Sequence, residues 1–144
     1  METKKEINRM INPIAFAGMQ FDTVGGILNK NLTKPSKVTD QSKKTIILNA
    51  IEEITDVYIH DIRSKKRQRY IVEVRQIYHY FLKKYTSYNL TAIGMFTNRD
   101  HATVLHSIKN VNNLKETDEE FRLLVKQIRE KIENKITEEL EILI

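Results

Sequence analysis

Residues 90–111 have the sequence LTAIGMFTNRDHATVLHSIKNV, and this stretch decides the fold. Its apolar residues recur at helical spacing on both sides of a small polar pair, Thr97-Asn98, which is typical of a tight turn. We therefore predict a short helix over about 90–95 and a longer one over about 99–115. The residues expected to be buried in the longer helix are Val104, Leu105, Ile108 and Val111. These proportions are those of a helix-turn-helix, although many all-helical proteins contain a similar corner.

The same helical period extends along the chain in both directions from this corner. It predicts further helices over about 42–57, over about 68–85, and from a capping box at Thr117 and Glu120 onward. The expected inward-facing residues are Ile47, Ile51, Ile54 and Tyr58 in the first helix, Ile71, Val74, Ile77, Tyr78, Phe81, Leu82 and Tyr85 in the second, and Phe121, Leu124, Val125, Ile128 and Ile132 in the last. The predicted fold class is all-α: a small helical bundle containing a helix-turn-helix.

The N-terminal part of the chain lacks this period. Pro13 and Pro35 are typical of turns, and we expect a loosely structured N-terminal arm over 1–41. The predicted organisation continues with a helical domain over 42–132 and a C-terminal helix extension over 133–144.

Apolar residues recur every four positions toward the C-terminus. The stripe consists of Ile128, Ile132, Ile136, Leu140 and Ile144. We expect it to pack either on the N-terminal arm or on a second copy of the chain, which would make a homodimer through the C-terminal helix. A frayed tail without a role is the alternative.

Composition excludes several classes of protein. The chain has 144 residues, a formal net charge of +5 and no cysteine, which excludes disulfide frameworks, thiolate metal sites and cysteine nucleophiles. No run of about 18 apolar residues occurs, so we expect no membrane-spanning helix and a cytoplasmic location. The phosphate-binding motif G-x-x-x-x-G-K-[ST] and metal-ligand spacings are absent as well. We therefore expect a protein that is not an enzyme and that has no cofactor, nucleotide or metal.

Positive charge is concentrated in the middle of the chain. Residues 41–114 carry a net charge of +6, whereas residues 115–144 carry −3. Between Arg63 and Lys84 there are eight basic side chains and one acidic one, Glu73. Phosphate oxygens of a polyanion would neutralise such a cluster. A solvated surface of mixed charge is the alternative.

Three motifs follow one another in the basic middle: SKKRQR over 64–69, the pair Arg75-Gln76, and IGMFTNRDHATVLH over 93–106. Together they resemble the C-terminal DNA-binding domain of the DnaA family, the bacterial replication initiators. That family's signature contains an Ile-Gly pair, a Phe and a Gly-Gly-Arg-Asp-His-Thr-Thr-Val run, and the resemblance covers roughly residues 42–132. It implies sequence-specific binding of double-stranded DNA, a role in replication initiation or its regulation, and association with the nucleoid.

The resemblance also implies which side chains meet the DNA. In the family an arginine of the basic loop enters the minor groove, and Arg67 matches that position. The start of the recognition helix enters the major groove, where arginine, carboxylate and histidine side chains can read base edges. The implied DNA-binding residues are Lys65, Lys66, Arg67, Arg69, Arg75, Gln76, Lys83, Thr86, Arg99, Asp100, His101, Ala102, Thr103 and Lys109. The alternatives are a solvated side chain for Arg67, a carboxylate that stabilises the helix N-terminus for Asp100, and a surface histidine for His101.

The chain departs from the family signature at the turn and just after it. Thr97-Asn98 replaces the glycine pair, which we expect to loosen the tight approach at the turn, although Asn tolerates the left-handed conformation. Ala102 replaces the first threonine and removes a hydroxyl group. We therefore expect a shifted sequence preference. Separately from these departures, we expect an origin in a phage or mobile element. The alternatives are a transcriptional regulator on the same fold and a protein-interaction adaptor that has lost specific DNA binding.

Overall fold

The computed structural model describes residues 38–143, so nearly all of the predicted arm lies outside the described residues. Within this range the chain is helical and contains no strand, which confirms the all-α prediction. Its helices are α1 (Asp40–Thr55), α2 (Ile59–Ile62), α3 (Arg69–Tyr85), α4 (Leu90–Phe96), α5 (His101–Thr117) and α6 (Glu119–Leu143). Over the same residues, no helix has both the length and the apolar character that crossing a membrane requires.

Helix α3 lies at the centre of these helices. It packs against α1, α2, α4 and α5, and α6 packs against α1 and α5. The apolar spacing of α3 explains its place, because its inward face carries five side chains with almost no exposed surface. They are Val74, Ile77, Tyr78, Phe81 and Leu82. Full burial of one such side chain stabilises a fold by roughly 1.5–3 kcal/mol, so this face anchors the elements that α3 contacts.

Helix α1 begins and ends two residues earlier than predicted. The hydroxyl oxygen of Thr39 accepts the N–H of Ser42 at 3.1 Å and caps the N-terminus. At the other end Asp56 has a left-handed φ of 63°, and its N–H donates to the Glu52 carbonyl. Because α1 ends there, Tyr58 leaves the inward face and is 51% exposed, so its predicted burial is wrong. The short helix α2 that follows was not predicted.

The junction between α5 and α6 differs from the predicted capping box. Thr117 is the last residue of α5, and its hydroxyl donates to the Asn113 carbonyl at 3.1 Å. The cap is instead Asp118, whose carboxylate accepts the N–H of Phe121 at 3.1 Å. A carboxylate at this position also compensates the partial positive charge of the helix N-terminus. From there α6 continues without a break to Leu143, through the predicted start of the C-terminal extension.

Candidate nucleic-acid interface

Helices α4 and α5 meet in a tight turn that depends on Gly94. The Gly94 carbonyl accepts the N–H of Thr97 at 3.0 Å and that of Arg99 at 2.8 Å. A Cβ at position 94 would lie 3.1 Å from the Arg99 carbonyl carbon and closer still to its oxygen, so a larger residue requires a backbone shift. Asn98 has a left-handed φ of 60°, a conformation that Asn tolerates, and its amide donates to the Arg63 carbonyl at 3.3 Å. The turn therefore closes tightly at Gly94 with Thr97-Asn98 in place of the glycine pair.

Asp100 caps the N-terminus of α5, which begins at His101 rather than near Arg99. The Asp100 carboxylate accepts the N–H of Thr103 at 2.9 Å. This hydrogen bond holds the pKa of Asp100 below its usual range. The structure therefore gives Asp100 the helix-stabilising role that was the alternative to base recognition, while its side chain stays exposed.

One surface of α5 is exposed within the described residues. His101, Ala102 and Thr103 are exposed in the first turn, and Lys109 is exposed two turns later. Leu105 is 43% exposed, so its predicted burial is wrong. Positions 101, 105 and 109 follow one line along the helix, since residues four apart are neighbours. We call the surface of His101, Ala102, Leu105 and Lys109 the α5 face.

Residues 63–68 connect α2 to α3 and form the basic loop. Lys65 and Arg67 are exposed in it. Neither side chain has a hydrogen bond or an ion pair with another residue of the described range. Both cations are therefore available to an external anion.

Two other basic side chains among the predicted DNA-binding residues form ion pairs with acidic residues of the chain. Lys66 Nζ lies 2.7 Å from Asp61 Oδ1, and this bond lowers the pKa of Asp61. Arg69 Nε lies 2.8 Å from Glu73 Oε2, one helical turn away. Exposed pairs of this kind are worth about 0–1 kcal/mol, so a phosphate group could replace either acid at little cost.

Arg75 holds the basic loop from the inside. Its side chain is 5% exposed, and Nε donates to the Ile62 carbonyl at 2.7 Å. Nη2 lies 3.1–3.3 Å from the carbonyl oxygens of Asp61, Ser64 and Lys66. Burial lowers the pKa of this guanidinium, and the charges of two neighbouring arginines add to the effect. The structure thus places Arg75 behind the loop, where it fixes the loop backbone; its direct contact with DNA stays a prediction.

Arg99 ties the basic loop to the turn. Its Nη2 donates to the Ser64 carbonyl and its Nη1 to the Thr97 carbonyl, both at 2.7 Å. The guanidinium groups of Arg75 and Arg99 therefore converge on one oxygen atom, that of Ser64. No carboxylate among residues 38–143 forms an ion pair with either arginine. The place where loop and turn meet thus carries uncompensated positive charge.

The remaining predicted residues lie along α3 and at its end. The side-chain oxygen of Gln76 accepts from the Asn110 amide at 2.7 Å and joins α3 to α5. The Thr86 hydroxyl donates to the Leu82 carbonyl at 2.5 Å, so Thr86 helps to end α3. Lys83 is exposed and has no partner within the described part of the chain. Of these three, Lys83 has the side chain that is free to reach an external ligand.

A buried polar group that the sequence did not single out lies behind the turn. His79 of α3 has no exposed surface, and its two ring nitrogens contact the hydroxyl groups of Thr97 and Ser107. Its position four residues after Arg75 puts both side chains on one face of α3. That spacing is the signal that could have found it.

Other kinds of site are not evident near this surface. Within residues 38–143, no group of three or more His, Asp or Glu side chains could hold a metal ion. A groove of about 830 Å³ lies between α1 and α6, bordered by Ile46, Asn49, Lys131 and Lys135 among others. It contains none of the predicted DNA-binding residues.

Residues 44–111 match the family model described as "Bacterial dnaA protein helix-turn-helix". These residues form a DnaA-type helix-turn-helix domain. The matched segment begins in α1 and ends in α5, so the DnaA-type domain contains the basic loop, the buried Arg75 and the turn before α5.

Curated relatives of the DnaA-type domain bear the name chromosomal replication initiator protein DnaA. The protein of Flavobacterium psychrophilum is 36% identical over 101 residues, which are 67% of this chain and 21% of the relative. That of Bacteroides thetaiotaomicron is 35% identical over 113 residues, 78% of this chain and 23% of the relative. That of the Wolbachia of Brugia malayi is 42% identical over 84 residues, 58% of this chain and 18% of the relative. The chain thus spans about a fifth of the length of these relatives.

Proposed function

We propose that this chain binds double-stranded DNA in a sequence-specific manner through its DnaA-type domain. The observation that carries the proposal is the convergence of Arg75 and Arg99 on the Ser64 carbonyl without a carboxylate partner. Like charges held close together in a partly desolvated place repel each other. Backbone phosphates would relieve this repulsion and release counterions on binding.

In the proposed complex the α5 face enters the major groove. The helix N-terminus carries free N–H groups that favour negative charge, and His101 at the first position can donate to or accept from a base edge. Ala102 and Leu105 offer apolar contacts for a thymine methyl group, and Lys109 lies within reach of the backbone further along the groove. The Asp100–Thr103 hydrogen bond supports this arrangement because it fixes the first turn.

The basic loop would then lie over the adjacent minor groove. Arg99 binds the loop at Ser64 and the turn at Thr97, so the loop is held next to the N-terminus of α5. Arg67 is exposed and unpaired within the described residues, as a side chain that inserts into a groove must be. Lys65 and Lys83 would contact phosphates on either side.

The proposed role is replication initiation or its regulation, because the relatives are named chromosomal replication initiators. We propose a binding protein rather than an enzyme, without a nucleotide, that is associated with the nucleoid. A transcriptional regulator and a protein-interaction adaptor remain the alternatives, and origin from a phage or mobile element stays a prediction.

Self-association through the C-terminal end of α6 is also part of the proposal. Ile128 and Ile132 of the predicted stripe are buried in the core, so this half of the stripe is not available to a partner. Leu140 of the stripe is exposed, and nearby Ile142 is 69% exposed at the end of this helix. Glu138 and Glu141 flank them and would keep this end of the helix away from DNA. Two copies joined there could place two α5 faces on neighbouring half-sites.

The test begins with selection of bound sequences from a random DNA library by the full chain. Dissociation constants are then measured by fluorescence anisotropy at several salt concentrations for His101→Ala, Lys83→Ala and the control Lys126→Ala. Lys126 is an exposed lysine of α6 without a hydrogen bond or ion pair within residues 38–143, so it matches Lys83 in type and exposure. His101→Ala should reduce discrimination by roughly 1–3 kcal/mol at one or two base pairs. Lys83→Ala should weaken all sequences alike and reduce the salt slope by about 0.9.

The outcomes separate the candidate functions. Absence of salt-dependent binding by the full chain would leave the adaptor as the better explanation. Equal effects of the Lys83 and Lys126 substitutions on DNA affinity would show that Lys83 of α3 is not part of the interface. Unchanged sequence preference in His101→Ala would show that the α5 face does not read the major groove.

A further inference from the structure

The fully buried side chain of His79 joins α3 to the turn and to α5 by hydrogen bonds. His79 Nε2 lies 2.7 Å from the Thr97 hydroxyl oxygen, and Nδ1 lies 2.9 Å from that of Ser107. The exposed fractions of the three residues are 0%, 0% and 2%. Thr97 belongs to the turn and Ser107 to the second turn of α5, so one imidazole ring spans the corner from behind.

The distances indicate which ring nitrogen carries the proton. A neutral imidazole donates through one nitrogen and accepts at the other. If Nδ1 donates to Ser107, the Ser107 hydroxyl can donate to the Thr103 carbonyl at 3.0 Å, and the Thr97 hydroxyl donates to Nε2. The other tautomer leaves Thr97 to donate to the Gly94 carbonyl at 3.3 Å, which is a poorer bond. The first arrangement makes a chain of hydrogen bonds that runs from the turn through α3 to the first turn of α5.

We propose that His79 is a positioning residue for DNA recognition, because its bonds to Thr97 and Ser107 fix the place of the first turn of α5. The inference rests on the proposed function for its effect on DNA. Hydrogen bonds to base edges require donor–acceptor distances of about 2.7–3.2 Å, so a shift of α5 by about 1 Å breaks them. A buried bond that fixes this helix therefore acts on base discrimination without touching the DNA.

The His79–Thr97 bond is a property of this chain rather than of the family signature. The signature carries glycine where Thr97 stands, and glycine has no hydroxyl group to offer. Thr97 and Ser107 each have a second acceptor within their own neighbourhood, the carbonyls of Gly94 and Thr103. Loss of the imidazole therefore leaves neither hydroxyl without a partner, and a variant of similar volume should still fold.

The experiment compares the full-length wild type with His79→Met and His79→Gln. Methionine fills the volume without the ring's hydrogen bonds, whereas glutamine keeps one donor and one acceptor. We expect His79→Met to reduce the ratio of affinities between the selected site and its single-base variants by about tenfold, the effect of losing part of a bidentate base contact. Affinity for random DNA and its salt slope should stay the same, and His79→Gln should restore part of the discrimination.

Amide hydrogen exchange of the free proteins gives a readout that does not depend on DNA. The Arg99 N–H donates to Gly94 and the Val104 N–H to Asp100, so both report the corner. In His79→Met both should exchange faster than in the wild type, while the amides of α6 should not change. His79 would be no more than a packing residue if His79→Met left the discrimination between DNA sites unchanged. The same conclusion would follow if the variant lost thermal stability and its amides exchanged faster throughout the described residues alike. If the wild type itself showed no sequence preference, the proposed function would fail, and faster exchange at the corner would still support the positioning role.

Discussion

Acidification should destabilise this fold through His79. Burial lowers the pKa of the His79 imidazole from 6.5 to about 4, and the charges of Arg99 and Arg75 contribute to the shift. Between these two pH values the unfolded chain takes up a proton that the folded chain does not. The free energy of unfolding should therefore fall as the pH decreases from 6.5 and level off near pH 4. Since one pKa unit corresponds to about 1.4 kcal/mol, the full loss is about 3 kcal/mol.

Urea denaturation of the wild type and His79→Gln, at pH values from about 7 to about 4.5, isolates this contribution. The lowered pKa values of Asp61 and Asp100 also make the free energy of unfolding fall in acid. Both proteins contain these two residues, so their contribution cancels in the difference. The difference in unfolding free energy between wild type and variant should shrink by about 2–3 kcal/mol over this range. A difference that is independent of pH would refute the reasoning, because it would mean that His79 is protonated equally easily in both states.

Three further predictions concern other parts of the chain. Gly94→Ala should lower the unfolding free energy by about 1–3 kcal/mol through the clash with the Arg99 carbonyl, although alanine is the better helix former; an unchanged urea midpoint would contradict this. Arg67→Ala should lose affinity most on sites with an A·T-rich flank, where the narrow minor groove attracts arginine, and anisotropy titrations showing equal losses on G·C-rich flanks would make it a phosphate contact. If α6 mediates a dimer, the full chain should sediment as a dimer and a chain ending at Asn134 as a monomer; sedimentation of both as monomers would contradict self-association.

The helices could be predicted from the sequence because their apolar periods are long. Helix α3 was expected over 68–85 and runs over Arg69–Tyr85, since seven apolar residues specify its inward face. The ends of the helices were harder to predict from the sequence, because they depend on single hydrogen bonds. Two residues decide such ends: the side chain of Asp118, rather than that of Thr117, caps α6, and the left-handed backbone of Asp56 ends α1. The misplaced Tyr58 follows directly from that early end.

The candidate site was predictable as a set of residues but not as an arrangement. Motif order identified the basic loop, which carries exposed Lys65 and Arg67, and the start of α5, where His101 is exposed. Sequence could not show that Arg75 is buried and binds loop carbonyls whereas Arg67 is exposed, because both motifs present simply a basic side chain. Leu105 was assigned to the core because it follows buried Val104 in an apolar pair. Its exposure depends on how α5 is rotated against α3, which the helical period alone does not fix.

Helix α3 supports both elements that we propose to contact the DNA grooves. Arg75 holds the backbone of the basic loop, and His79, one helical turn further, holds the turn and α5. Four residues of helix span about 6 Å, a distance that backbone hydrogen bonds keep constant. Because Arg99 links the loop to the turn at Ser64, neither can move far without the other. The spacing between Arg67, which we propose for the minor groove, and α5, which we propose for the major groove, is therefore set inside the protein.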